Sequence, residues 1–454
     1  MDNLNSIFEG KHITQMGLGL LGRGIGDAAF LARHGAVLTV TDQKTGVELA
    51  DSLRQLGEYA NIEYTLGEHA EKDFEDRDLV LKGAGVPLDS KYIKTARKAG
   101  VPVDMSASLF GRIAPIPMVG VTGTRGKSTV THVVEQILRA DGRKVLLGGN
   151  VRGVSNLSLL EKVTPDSTAV FELDSWQLQG FGEEKSLNML DVKQGPHSPH
   201  VAIFTTFMAD HMNYYNGSMK DYLADKAHIF QHQTEEDIVV IGKQALDALA
   251  PYMTSMKGQV IIADEHALPE HCEVPLLGEH NRYNIGIAVA TGRALGVSDE
   301  TIRSAVQAVS PVPGRLEYLR SIRGIDLYND NNATTPDATA AALAALDPDK
   351  KKNIILIAGG ADKGLDTAVL HAAAEEHVKA CVFLPGTGTE RLLKECDMPL
   401  PRQVEELPQA AEAACNVAES GDIVLFSPGF ASFGQFKNEY ERNDQFVQLV
   451  NEHL

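Results

Sequence analysis

Tryptophan occurs once and cysteine four times in 454 residues, and no apolar run reaches membrane-spanning length. Cys272, Cys381, Cys396 and Cys415 form no C-x-x-C pair, so neither a disulfide framework nor a thiolate metal site is indicated, and a reducing compartment is expected. A bilayer crossing takes about 20 consecutive apolar residues. The opening Met1-Asp2-Asn3-Leu4-Asn5-Ser6 lacks the basic-then-apolar order of a secretory leader. Positive charge is also short: 42 Lys and Arg against 61 Asp and Glu give a formal net charge of −19. That balance argues against general binding to nucleic acid or an anionic membrane. What remains is a cytoplasmic globular chain, and 43% hydrophobic with 23% charged residues is ordinary for that class. Its length outgrows a single core and suits two or three domains.

One stretch organises the rest: Met118-Val119-Gly120-Val121-Thr122-Gly123-Thr124-Arg125-Gly126-Lys127-Ser128-Thr129. A short apolar run enters it, and a helical pattern from Val130 to Leu138 leaves it. Glycines let backbone N–H groups turn toward phosphate oxygens, and the helix N-terminus adds partial positive charge. Lys127 can reach terminal phosphates and the Ser128 hydroxyl can ligate Mg²⁺. The outer glycine, Gly120, stands one place early against G-x-x-x-x-G-K-[ST], so this is a variant phosphate loop.

Before it, residues 11–42 read strand, Gly-rich turn, helix, strand. Gly17-Leu18-Gly19-Leu20-Leu21-Gly22 forms the turn and Asp42 falls 20 residues after Gly22. The spacing suits a dinucleotide, but such a turn holds any diphosphate equally well. A strand ending at Leu81 opens into Lys82-Gly83-Ala84-Gly85-Val86-Pro87, and Ile113-Ala114-Pro115-Ile116-Pro117 marks a linker. After the phosphate loop come a second glycine-rich loop around Asn150 and a buried strand ending at Glu172-Leu173-Asp174-Ser175-Trp176-Gln177. An acid at a strand end beside a phosphate loop suits Mg²⁺, and it equally suits a solvated strand end. Glu172 and Asp174 are read as sharing one face of an extended strand. A third strand ends at Asp210-His211, where the histidine suits either a cap or a metal. Lys226 lies on an amphipathic helical stretch, a position that is ordinarily solvated. Asn281 and Asn284 share a helical face, which suits either a purine edge or plain capping. Past a second proline boundary, Ser310-Pro311-Val312-Pro313, three strands deliver polar loops at 329–336, 359–364 and 427–432. The expectation is an α/β chain of three domains, 1–113, 114–311 and 312–454: Rossmann-like, then a phosphate-loop parallel sheet, then Rossmann-like again.

In order and spacing these motifs resemble the Mur ligases, in particular the branch that adds glutamate, from about Gly17 to Arg442. The resemblance implies an ATP-dependent ligase that joins glutamate, D-glutamate by the branch's usual choice, to UDP-N-acetylmuramoyl-L-alanine in peptidoglycan synthesis. An acyl phosphate is the implied intermediate. A monomer with small-molecule substrates is expected, with no nucleic acid or membrane partner. By motif, Gly123, Thr124, Arg125, Gly126, Lys127, Ser128 and Thr129 would hold ATP phosphates, with Asn281 and Asn284 at adenine and Arg315 and Asp330 from the third domain. Two Mg²⁺ ions would be held by Ser128, Glu172, His211 and a carbamylated Lys226; Lys127, Glu172, His211 and Lys226 would form the catalytic set. The UDP substrate would lie on Gly17, Leu18, Gly19, Leu20, Asp42, Gly85, Asn150, Asp174, Ser175 and Gln177, and glutamate on Thr334, Lys363, Ser432 and Phe433.

Several residues depart from the family pattern. Arg125 replaces the usual Asn and Asp174 the usual Ser; Asn331-Asn332 replaces Ser-Lys, and Glu439-Tyr440 inverts an aromatic-acid order. Changes in the amino-acid pocket keep an L-glutamate ligase in play. A folylpolyglutamate-type ligase would need no UDP-holding first domain. A nicotinamide dehydrogenase would leave Lys127 and Glu172 idle, and a non-catalytic nucleotide binder would not need Lys127, Ser128, Glu172, His211 and Lys226 together.

Overall fold

The computed structural model describes residues 4–19, 22–183 and 192–452, and three sheets carry the fold. The first comprises β1 (His12–Met16), β2 (Val37–Asp42), β3 (Ile62–Leu66), β4 (Leu79–Lys82) and β5 (Val103–Asp104). Its order is β3-β2-β1-β4-β5, parallel throughout, the doubly wound arrangement that opens a ligand crevice at the strand C-termini.

The second sheet comprises β6 (Met118–Thr122), β7 (Lys144–Gly149), β8 (Ser167–Glu172), β9 (Val201–Phe204), β10 (Ile238–Gly242) and β11 (Gln259–Ala263). It runs β11-β10-β9-β6-β8-β7, again parallel. Helices cover both faces of such a sheet, so its strands read as unbroken apolar runs; β6, β8 and β9 are buried along their whole length. The phosphate loop leaves the C-terminal end of β6, between β9 and β8.

The first two sheets pack into one compact unit, residues 1–270 with 284–305. One hydrophobic core runs through it, from Phe8 and Phe30 to Phe171, Phe204 and Ile241, with Ile113 and Ile116 of the proline-marked segment buried inside. Polar contacts reinforce the join. The Asp27 carboxylate accepts from Ser155 Oγ at 2.6 Å and from Leu157 N at 3.2 Å, and Arg23 donates to Asn150 Oδ1 at 2.9 Å.

The second unit, residues 271–283 with 306–454, holds the third sheet. Its strands are β12 (Glu317–Ile322), β13 (Ile325–Asn329), β14 (Ile354–Ala358), β15 (Val378–Phe383), β16 (Pro401–Gln403) and β17 (Ile423–Phe426), in the order β12-β13-β17-β14-β15-β16. All neighbours are parallel except the β12–β13 hairpin, which makes this sheet mixed. The hairpin closes through Arg323 (φ 54°) and Gly324 (φ 79°), two left-handed residues of the kind that matches strand twist in a two-residue turn.

Candidate active site

Sterics build the phosphate loop. Gly123 has φ 135°, and a Cβ there would sit 2.0 Å from Thr205 Oγ1. Gly126, the left-handed N-cap of the helix Lys127–Ala140, would drive a Cβ to 2.2 Å from Asn284 Oδ1. Only glycine fits at either place, so Asn284 lies directly against the loop. Thr205 Oγ1 donates to the Arg125 carbonyl at 2.5 Å, and Thr124 N donates to Thr206 O at 2.8 Å; both contacts fix the loop to the end of β9.

Two lysines converge on one carbonyl. Lys127 Nζ donates to Gly123 O at 3.2 Å and Thr124 O at 3.1 Å, while Lys226 Nζ donates to Gly123 O at 2.8 Å and to Thr122 Oγ1 at 3.4 Å. Lys226 is 1% exposed, unlike the solvated lysine its helical position suggests. Burial first, then the neighbouring Lys127 ammonium, pushes its amine well below the usual lysine range. The Tyr222 ring, centred 4.8 Å from Nζ, walls the amine.

Glu172 ends β8, paired in register with Val121 of β6. It is 7% exposed; its backbone carbonyl accepts from Asn150 N at 2.6 Å, while its carboxylate accepts no hydrogen bond and joins no ion pair among the described residues. A carboxylate so placed fits a cation, because buried charges are paired or coordinate metals. Among the described residues, only Asp264, Glu265 and His266 bring three such ligand atoms within 4.8 Å of one another. That group is a loop cap: Asp264 pairs with Lys243 at 3.1 Å and accepts from His266 N at 3.0 Å. Glu172 and His211 belong to no such three-ligand group among the described residues.

The strand ends at Glu172, so Asp174 does not share its extended face as expected. Asp174 is instead the N-cap of the helix Ser175–Phe181. Its carboxylate accepts from Gln177 N at 2.7 Å, and Gln177 Oε1 accepts from Asp174 N at 3.3 Å. The acid that departs from the family pattern thus closes a capping box, a task serine also performs. Arg125, the other departure near the phosphates, pairs with Asp210 at 2.9 Å. Asp210 Oδ1 accepts from His211 N at 2.9 Å, in a turn where His211 adopts φ 56°. Trp176 packs on the His211 ring at 4.8 Å.

In the first sheet, both Asp42 oxygens are occupied: Leu18 N donates to Oδ2 at 2.9 Å and Lys44 N to Oδ1 at 2.9 Å. Asp42 therefore braces the turn carrying Gly17 and Gly19, both left-handed, while Leu20 lies outside the described residues. Gly85 is exposed on the loop after β4. Sequence reasoning missed Lys82, which is 3% exposed; its Nζ donates to Val86 O at 2.8 Å and closes that loop. Burial takes its amine down to about 8, partly offset by Asp174 and Asp225. The signal was faint: a lysine closing an apolar strand.

The second unit carries the remaining positions. Thr334 and Lys363 meet at 3.2 Å and line a small pocket with Pro336, Asp362, Gly429 and Phe430 at the ends of β13, β14 and β17. Asp330 is buried, accepting from Ser427 Oγ at 2.8 Å and Leu316 N at 3.1 Å, and burial lifts its carboxyl to about 7. Arg315, next to Leu316 in the chain, is half-buried, and its charge favours the ionised form of Asp330. Ser432 is buried and Phe433 is 67% exposed. Asn281 Nδ2 donates to Leu277 O at 2.8 Å.

A phosphate loop on a parallel sheet, with two lysines and a partnerless buried carboxylate around it, defines a nucleotide-dependent phosphoryl-handling enzyme. Comparison with known proteins narrows the class. The Mur ligase MurD-like N-terminal domain matches residues 11–104, the Mur ligase middle domain 121–257 and the Mur ligase glutamate ligase domain 314–430. The UDP-N-acetylmuramoylalanine–D-glutamate ligase of Roseiflexus sp. is 35% identical, over 97% of this chain and 98% of its own. The enzyme of that name from Koribacter versatilis is 31% identical over 97% of each. Among solved structures, the UDP-N-acetylmuramate–alanine ligase of Thermotoga maritima superposes with TM-score 0.60 at 19% identity, over 97% of this chain and 99% of its own. A Mycobacterium tuberculosis folylpolyglutamate synthase superposes with TM-score 0.53 at 16% identity over 71% of this chain and 91% of its own. The chain belongs to the Mur ligase family and is an ATP-dependent ligase.

Proposed function

We propose that this ligase joins D-glutamate to UDP-N-acetylmuramoyl-L-alanine, with ATP converted to ADP and phosphate. The observation that carries the reading is the meeting of Lys127 and Lys226 at the Gly123 carbonyl. It supports chemistry at a terminal phosphate, and the relatives that match over nearly the full chain carry the named substrate and amino acid. The MurD-like match over residues 11–104 favours UDP over nicotinamide on the first glycine turn. A folylpolyglutamate reading leaves part of the chain unused, since that structure covers 71% of it.

The alanyl carboxylate attacks the γ-phosphorus and ADP leaves; the glutamate amine then attacks the acyl carbon and phosphate leaves, one proton being released. Positioning and charge neutralisation supply the catalysis. Lys127 would hold the terminal phosphates, and Asn284 and Asn281 the adenine. Ser128, Glu172 and His211 would hold Mg²⁺, which when bound offsets the charge on phosphate oxygens. Lys226 would act as a carbamate: a neutral amine adds CO₂ and sheds a proton, and its burial beside Lys127 favours the neutral amine. The Gly17–Gly19 turn and Gly85 would take the UDP group, and Thr334 and Lys363 the glutamate carboxylates. A cytoplasmic monomer is the expected form, and no helix among the described residues is long and apolar enough to cross a membrane.

The test is isotopic. With ¹⁸O in the alanyl carboxylate, the released phosphate should carry one ¹⁸O. Unlabelled phosphate would exclude the acyl-phosphate route.

A further inference from the structure

Arg442 heads the largest fully buried side chains, at 1% exposure in the helix Glu439–Glu452. Its Nε donates to Asn331 Oδ1 at 2.8 Å, one terminal nitrogen to Asn331 O at 3.1 Å, and the other to Phe430 O at 3.3 Å. All three acceptors are neutral, and no carboxylate forms an ion pair with it among the described residues. Burial pulls the guanidinium down to about 10, partly offset by Glu439, so it remains charged at neutral pH. An unpaired buried charge costs several kcal/mol. The fold therefore carries a positive potential that none of its own carboxylates cancels by contact.

That potential has a location. Asn331 leads from β13 toward Thr334, and Phe430 itself lines the pocket shared by Thr334, Asp362, Lys363 and Gly429. Arg442 thus sits one residue behind the pocket wall. Its contacts add dipoles, and the Glu439 carboxylate offsets the charge only from a distance: Asn331 Nδ2 donates to Glu439 O at 2.9 Å and to Asn332 Oδ1 at 3.2 Å, and Asn332 Nδ2 to Pro313 O at 3.1 Å. In a low-dielectric wall such a charge acts over a longer range than it would in water, and the carbonyls it polarises transmit it.

We propose that Arg442 is a specificity-determining positioning residue whose unpaired charge behind the Thr334–Lys363 pocket selects an amino acid with a second carboxylate over a neutral one. The inference rests on reading that pocket as the amino-acid site.

The experiment compares KM for glutamate and for glutamine, its neutral counterpart, in wild type, R442Q and R442K, with thermal unfolding recorded for each. R442Q should raise KM for glutamate about tenfold, equivalent to about 1.4 kcal/mol. It should narrow the glutamate preference by the same factor and leave KM for ATP unchanged. R442K, which keeps the charge, should retain most of the preference even if it unfolds earlier. An intact preference in R442Q, or one lost equally in R442K, overturns the proposal. Wild type supplies a readout that survives misfolding of either variant. A preference set by a buried charge should persist from about 0.05 to about 0.5 M salt, because buried charges are little screened. Collapse with salt would assign the preference to exposed Lys363 and overturn the proposal. A wild type indifferent to glutamate would instead remove the reading of the pocket itself, and the inference with it.

Discussion

Replacing Lys226 with alanine separates its structural role from its catalytic one. In the folded protein its amine donates to Gly123 O at 2.8 Å, a charge-assisted bond of the kind that contributes about 1.5–3 kcal/mol when the amine is ionised. Against this stands the desolvation of an amine beside Lys127, the same effect that lowers its proton affinity. The two oppose each other, so K226A should shift stability by no more than about 2 kcal/mol. Catalysis lacks that cancellation. Loss of one preorganised group at a site of developing charge typically costs about 100- to 1,000-fold in kcat. Phosphate release at saturating substrates, with thermal unfolding alongside, measures both effects. If the working form is a carbamate, formate or acetate should restore part of the K226A rate where chloride at equal ionic strength does not. Wild-type turnover in K226A would refute the catalytic reading, and a slow enzyme that no carboxylate rescues would refute the carbamate.

Three further outcomes follow from single contacts. D174A should cost about 1 kcal/mol by loss of a helix cap while D174S keeps most of it; equal denaturant midpoints for D174A and wild type would contradict the capping role. R125N breaks the 2.9 Å pair with Asp210 at partly exposed positions, so stability should fall by about 1 kcal/mol at most. KM for ATP and the Mg²⁺ requirement should rise as the His211 turn loses its brace, and unchanged values would refute that link. His197 is 3% exposed against Phe181, and burial holds its imidazole well below the usual range. The unfolded chain then binds the extra proton, so the stability this group confers is complete above about pH 6.5 and is lost as pH falls below it. H197F should flatten the acid limb of a denaturation series; an unchanged slope would refute the assignment.

The phosphate loop and most strands were legible because their code is local. Gly-Lys-Ser-Thr after an apolar run fixes a turn and a helix start, and strands buried on both faces leave unbroken apolar runs such as Thr168–Phe171. The β12–β13 hairpin was harder to see, since Arg323-Gly324 is a weak turn signal. The burial of Lys226 was also hidden. Its helix face, with Tyr222 and Phe230 at four-residue spacing, reads as apolar with one lysine, and only packing against the phosphate loop gives that lysine its partners. Asp174 shows the opposite problem, since an acid near a phosphate site invites a chemical reading where a helix needed a cap. Arg442 lay beyond local pattern altogether, because its main partner, Asn331, is 111 positions away.

The most direct test of the central claim is phosphate release with UDP-N-acetylmuramoyl-L-alanine, offering D-glutamate and L-glutamate in separate reactions. Release is expected only when ATP, Mg²⁺, the UDP substrate and D-glutamate are all present. Release with L-glutamate alone would make Asn331, Asn332 and Glu439 the mark of an altered specificity. Release that does not depend on the UDP substrate would contradict the account at its root.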